Sequence, residues 1–181
     1  RLIHIEELPN TACVYEGDLV FSLDILKQEY PAYGTTDFRE PAYQVLQQGG
    51  SRITNFVYQN HTIHQGKHKL AGLPATYVEQ DEEATTLEIS LYDEAIDVEI
   101  QLSYSVFEQL NAITRSARFI NHGQGDVNLT RAMSASLDLP DSDFEMVQLS
   151  GAWVRERHIH NRKLVPVLQS ISSTIGTSSA H

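Results

Sequence analysis

The stretch Ala84–Tyr104, ATTLEISLYDEAIDVEIQLSY, decides the fold class. Leu87, Ile89 and Leu91 alternate with Thr86, Glu88 and Ser90. Val98, Ile100, Leu102 and Tyr104 alternate with Asp97, Glu99, Gln101 and Ser103. Successive side chains of an extended chain point to opposite faces, so a period of two sorts apolar from polar residues only on a strand. Tyr92-Asp93-Glu94-Ala95 lies between the two runs and is a polar connection of hairpin length. The segment is expected to form an antiparallel pair with one wet face.

The pattern continues on both sides. Ile113 to Asn121 reads as a third strand, followed by the glycine turn His122-Gly123-Gln124-Gly125-Asp126. Val127, Leu129, Met133, Ala135 and Leu137 are expected on the apolar face of a fourth. Arg131 interrupts that face and needs a partner or an edge position. Pro140 removes a ladder donor and ends the strand. Ala152 to His160 and Val165 to Ile171 read as two more strands. Upstream, Asp18 to Asp24 is a short strand and Tyr30 to Gly34 a turn. Ala42 to Gln47 and Ile53 to Gln59 flank Gln48-Gly49-Gly50-Ser51, a hairpin signal. Gly66 to Pro74 is a loop, and Asp81-Glu82-Glu83 an acidic, solvated one. Ser105 to Asn111 fits a turn of helix or a strand continuation equally well. No long segment carries a period of 3.6. Roughly ten strands joined by polar turns predict an all-β fold with little helix, an antiparallel β-sandwich, with a closed barrel as the next option.

Composition bounds the function. The chain has 181 residues, 41% of them hydrophobic, a net charge of −11 and a pI near 5.0. An acidic chain of this kind is not expected to bind nucleic acid or an anionic membrane surface. No apolar run is long enough to span a bilayer. Cys13 is the only cysteine, which favours a reducing, cytoplasmic setting. The chain starts at Arg1 without Met and stops in a Ser-rich run, so a fragment cut at both ends is expected.

Motifs with chemistry are sparse. His158-Ile159-His160 puts two rings on one side of a strand, and His61, His64 and His68 form a second group with mixed spacing. Without a Cys or HExxH pattern, eight histidines in this length pair by chance, and no metal and no cofactor is expected. A cupin-like metal enzyme using His158 and His160 is the corresponding alternative. Ser150-Gly151 lacks the rest of a nucleophile elbow. Glycosidases need two carboxylates about 5 to 9.5 Å apart, and no such pair can be nominated among 24 Asp and Glu. Trp153 and Arg155 are one strand step apart and are expected to share a face, with Arg157 beyond. Such a group can stack on itself, meet a neighbouring subunit or contact a sugar.

Three runs carry a resemblance: Arg115-Ser116-Ala117-Arg118-Phe119-Ile120-Asn121, Met133-Ser134-Ala135-Ser136-Leu137-Asp138 and Leu149-Ser150-Gly151-Ala152-Trp153-Val154-Arg155-Glu156-Arg157. Two earlier blocks agree, Tyr33-Gly34-Thr35-Thr36-Asp37-Phe38-Arg39-Glu40-Pro41-Ala42 and Leu70-Ala71-Gly72-Leu73-Pro74-Ala75-Thr76-Tyr77-Val78-Glu79, as does Asn10-Thr11-Ala12-Cys13. In this order they resemble the N-terminal domain of family 36 glycoside hydrolases, the bacterial α-galactosidases of melibiase and raffinose-utilisation type. Ser173-Thr174-Ile175-Gly176 departs from the pattern, since many relatives carry basic residues there.

The resemblance implies one β-supersandwich domain over residues 1–181, preceding a catalytic (β/α)8 barrel that these residues do not contain. It implies that both catalytic Asp residues lie in that barrel, so no catalytic residue is placed here. It also implies that the barrel of the same chain is a partner, that the parent acts on galactosides, and that the assembly is a homo-oligomer, a tetramer in many relatives. In the family such domains contribute oligomer contacts and the rim of a neighbour's active site. Asp37 and Arg39 in the loop Gly34–Arg39, and Trp153, Arg155 and Arg157 in the later strand, are the candidates for substrate or interface contacts. The alternative is a stand-alone carbohydrate-binding module with Trp153 as its platform.

Overall fold

In the computed structural model, residues 28–34, 40–72, 75–137, 139, 143–152 and 154–172 are described. They form eight strands: β1 (Tyr43–Leu46), β2 (Val57–Gln65), β3 (Thr85–Asp93), β4 (Val98–Phe107), β5 (Ala112–Asn121), β6 (Asn128–Ala132), β7 (Glu145–Ala152) and β8 (Arg155–Lys163). All pairings are antiparallel. The only helical elements among the described residues are 3-10 turns at Asp81–Glu83 and Glu108–Leu110. The expected all-β, antiparallel class with little helix is therefore the observed one. No helix among the described residues is long and apolar enough to cross a membrane. The chain divides into two compact units, Arg1–Leu137 and Asp138–His181.

In the first unit, β2-β3-β4-β5 form one sheet and β1-β6 a second. The deciding hairpin is β3–β4, with Leu87 opposite Tyr104, Ile89 opposite Leu102 and Leu91 opposite Ile100. Directly opposed residues share a face, so the alternation becomes a continuous apolar surface. It extends to β5, where Ile100 faces Phe119 and Leu102 faces Ala117. Tyr43 and Val45 of β1 close over Ile100 and Leu102 to make the buried core, so the two sheets pack as a sandwich. Tyr43 stacks on Tyr30 at 5.3 Å and meets the edge of Phe56 at 5.4 Å. The connection lies two residues later than expected, at residues 94–97. Asp93 belongs to β3, where its buried carboxylate accepts the backbone N–H of Asn55 at 2.6 Å and of Ala95 at 3.0 Å.

Several expectations are corrected. Gln47 and Gly50 do close a turn (Gly50 N–H to Gln47 C=O, 2.9 Å), but β1 pairs with β6 and β2 with β3. The glycine pair is thus a corner between sheets and not a hairpin, because local turn chemistry does not specify a pairing partner. The fourth strand stops at Ala132 instead of running to Leu137, which is largely exposed. Ser136 has left the ladder, and its carbonyl accepts a bond from Arg115. The open choice at Ser105–Asn111 resolves into both options: β4 runs to Phe107, a 3-10 turn follows, and Asn111 takes a left-handed conformation (φ 49°).

The second unit is the hairpin β7–β8. The single strand expected over Ala152–His160 is broken, since β7 ends at Ala152, which pairs with Arg155 across a tight link. Val154 has φ 68° and Arg157 φ 59°, so neither continues a regular strand. No strand forms over Val165–Ile171. Pro166 has no N–H, and the Val167 N–H is taken locally by the Val165 carbonyl at 2.7 Å. The expected strand Asp18–Asp24 lies outside the described residues.

Tyrosines in the core give the first unit a pH limit. Burial pushes the Tyr43 hydroxyl up to about 12, against a smaller opposing effect of its hydrogen bond to Thr54. Burial also raises Tyr30 and Tyr104. A phenol ionises near pH 10 in an unfolded chain. Stabilisation from the neutral phenol is therefore complete below about pH 10 and is lost as pH rises through the folded value. Base titration followed by circular dichroism should show stability falling above that point. Tyr43→Phe should flatten this alkaline limb; an unchanged limb in that variant would contradict the assignment.

Candidate functional site

The described residues on either side of the segment carrying two of the candidates are joined at one place. The Ala42 N–H donates to the Pro31 carbonyl at 2.8 Å. Ala42 C=O in turn accepts the Met133 N–H at 2.8 Å, and Tyr30 donates its hydroxyl to the Met133 carbonyl at 2.8 Å. Gly34 has φ +100°, and a Cβ there would sit 2.9 Å from Ile53 Cγ1, so only glycine fits the outgoing arm. Glu40 on the returning arm is ion-paired with Arg131 of β6. This is the partner that Arg131 needs. Asp37 and Arg39 themselves lie outside the described residues.

Trp153 is likewise outside them. Arg155 and Arg157 are both on β8 and exposed. The positive φ of Arg157 breaks the alternation between Arg155 and Arg157. The Glu156 carboxylate accepts the Val154 N–H at 2.6 Å and tightens the hairpin end. The hairpin pairs Val147 with Asn161 and Leu149 with Ile159. Val147, Leu149 and Ile159 thus share one face and are 62%, 52% and 70% exposed.

One polar centre escapes a reading by motifs. Arg115 of β5 stands opposite Tyr104, on the apolar side of the sheet, with its side chain only 10% exposed. Its guanidinium lies 5.2 Å from the ring centres of both Tyr30 and Tyr104. It pairs with the Glu29 carboxylate at 3.2 Å and donates to the backbone carbonyls of Glu29 at 3.0 Å and Ser136 at 3.4 Å. Tyr104 donates its hydroxyl to the same Glu29 carboxylate at 2.8 Å. The signal for it was present: Arg115 falls in phase with Ala117 and Phe119, and a charge on a core face requires partners. The centre ties three distant segments together at the base of the loop.

Two surface concavities lie on the first unit. One, of about 300 Å³, is lined by Gln47, Gln48, Ile96, Asn121, Asp126 and Val127 among others, with no aromatic ring for a sugar to stack on. Another, of about 520 Å³, contains Tyr92, Asp93 and Glu94. Tyr92 is engaged with Asp97 and Asp93 with two backbone amides, which makes them turn-holding groups. At the same end of the sheet Glu99 accepts from Ser90 at 2.7 Å and bonds His122 at 2.8 Å; these bonds lower its pKa.

The fold is all-β and antiparallel, and Arg155 and Arg157 are exposed on β8. The chain belongs to the glycosyl hydrolase family 36 N-terminal domain, whose description matches residues 3–181. It is 53% identical over 163 residues to alpha-galactosidase AgaA of Geobacillus stearothermophilus, covering 90% of this chain and 22% of that protein. It is 40% identical to the probable alpha-galactosidase C of Aspergillus terreus, over 85% of this chain and 20% of that protein. A crystal structure of the Lactobacillus brevis alpha-galactosidase superposes with a TM-score of 0.81 at 42% identity, over 85% of this chain and 21% of that one. A crystal structure of a variant of AgaA in complex with raffinose superposes with a TM-score of 0.82 at 48% identity, over 93% of this chain and 24% of that one. The chain thus spans about a fifth of the length of these relatives.

Proposed function

We propose that this chain is the non-catalytic N-terminal domain of a retaining α-galactosidase that hydrolyses terminal α-galactosides of melibiose and raffinose type. The observation that carries the reading is the match over residues 3–181 to a domain that makes up about a fifth of proteins named as alpha-galactosidases. Hydrolysis with retention needs a carboxylate nucleophile and a carboxyl acid/base, and both are assigned to the catalytic barrel of the same polypeptide. The raffinose bound by the AgaA variant supports this substrate class. The role of this domain is to support a homo-oligomer, a tetramer on this reading, and to frame the active site. Asp37, Arg39 and Trp153, with Arg155 and Arg157 of β8, are its contact residues on this reading. The exposed face of Val147, Leu149 and Ile159 supports a role in assembly, because apolar residues grouped on one face mark a contact surface. The single cysteine supports a cytoplasmic setting on this reading.

The division of labour is tested with an aryl α-galactoside. The 181-residue chain alone should show no turnover, and the polypeptide with its barrel should hydrolyse the substrate. Turnover by the chain alone that survives purification sinks the proposal. In the complete polypeptide, Asp37→Ala and Arg39→Ala should raise KM for raffinose more than they lower kcat, and light scattering should report the oligomer. A monomer with unaltered KM in both variants removes the framing and assembly roles.

A further inference from the structure

The register of β2 on β3 regroups the histidines that the sequence presents together. His64 pairs with Thr86 and Thr62 with Glu88, so His64 and Glu88 project from the same face of the sheet. His61 pairs with Ile89 on the other face and bonds the Tyr58 hydroxyl at 2.6 Å. Past β2, Gly66 turns the chain in a left-handed conformation (φ +84°), where a Cβ would meet Asp81 Oδ1 at 2.6 Å. Its N–H donates to the Ala84 carbonyl at 2.7 Å, and its carbonyl accepts the Thr86 hydroxyl at 2.6 Å. The loop is thereby fixed against β3, and His68 comes back over His64 with ring centres 4.6 Å apart. One ligand atom from each of His64, His68 and Glu88 lies within 4.8 Å of the others. Among the described residues, buried His64 Nε2 has no hydrogen-bond partner, and leaving such a group unpaired costs about 1–3 kcal/mol. Glu88 accepts a long bond, 3.4 Å, from Ser103.

We propose that His64, His68 and Glu88 bind one zinc ion that clasps the loop after β2 to the β2–β3 sheet. Two imidazoles and one carboxylate are a borderline donor set that suits zinc, whereas calcium and magnesium call for oxygen ligands throughout. Zinc bonds of about 2.0–2.2 Å place tetrahedral ligands closer together than 4.8 Å. His68 is exposed on the loop and can supply the adjustment, while His64 and Glu88 are held by strands. The ion would take the buried Nε2 as a ligand and leave a fourth position to water.

The test uses the 181-residue chain stripped of metal, titrated with zinc against a chromophoric chelator. One equivalent should bind with micromolar or tighter affinity, and zinc should raise the melting temperature. His68→Gln and Glu88→Gln should each weaken binding by about tenfold or more while circular dichroism stays unchanged. A His158→Gln/His160→Gln variant should bind as the parent does. Cobalt(II) substitution should give the visible bands of a four-coordinate site, a readout that needs no variant. Absence of binding, or zinc lost in the His158/His160 variant but kept in His68→Gln, overturns the proposal.

Discussion

Ile100→Ala is expected to remove about 2–5 kcal/mol of folding stability, the range for deleting a fully buried aliphatic side chain. Ile100 is 0% exposed and sits where β4 meets three neighbouring strands, β1, β3 and β5. It faces Leu91 on one side and Phe119 on the other in the sheet, and Tyr43 and Val45 close over it. The side chains around it come from both sheets, so the cavity has walls that cannot collapse independently. Ile100→Val removes one methylene-sized volume and should cost about 0.5–1.5 kcal/mol. Urea titration followed by circular dichroism separates the two. A loss under about 1 kcal/mol in Ile100→Ala would mean that the sheets do not meet at this residue.

Arg115→Met is expected to be the second largest effect, about 2–4 kcal/mol, although it keeps much of the apolar volume. It removes two cation–π contacts and the ion pair with Glu29, and it strands the carbonyls of Glu29 and Ser136. Arg115→Lys should recover little, because a lysine ammonium cannot serve several divergent acceptors as a guanidinium does. A spectroscopic signature distinguishes this from simple packing loss. Burial raises the pKa of Tyr30 and of Tyr104, while the Arg115 charge lowers both. In Arg115→Met both phenols should ionise at still higher pH, read by ultraviolet absorbance at a temperature where the variant is folded. Phenolate titration identical to the parent would remove Arg115 from this centre.

Much of the first unit was legible from residue order. β3, β4 and β5 follow from the alternation of Leu87 to Ile100 to Phe119, because each strand carries its own record of which face is dry. Arg131 was legible as a residue needing a partner; that the partner is Glu40 was not, since the two are distant in sequence and meet only when β1 pairs with β6. The second unit was less legible. β7 pairs alternately exposed Val147 and Leu149 with half-buried Met146 and Gln148, so its pattern inverts the usual sign of burial. The Val165–Ile171 run has the composition of a strand, yet its backbone bonds to itself around Pro166.

The candidate site divides in the same way. Residue order alone determined that the chain is all-β and antiparallel, which elements carry its core, and that its signature runs resemble the family to which it belongs. These are local properties: periodicity, turn chemistry and motif identity are written along the chain. Tertiary structure alone decided which histidines meet, that Arg115 is a buried hub, and that Gly49-Gly50 is a corner between sheets. Each of these depends on register, where a shift of one residue exchanges the two faces of a strand. Register is fixed by the packing of distant segments, so no reading of neighbours in sequence contains it.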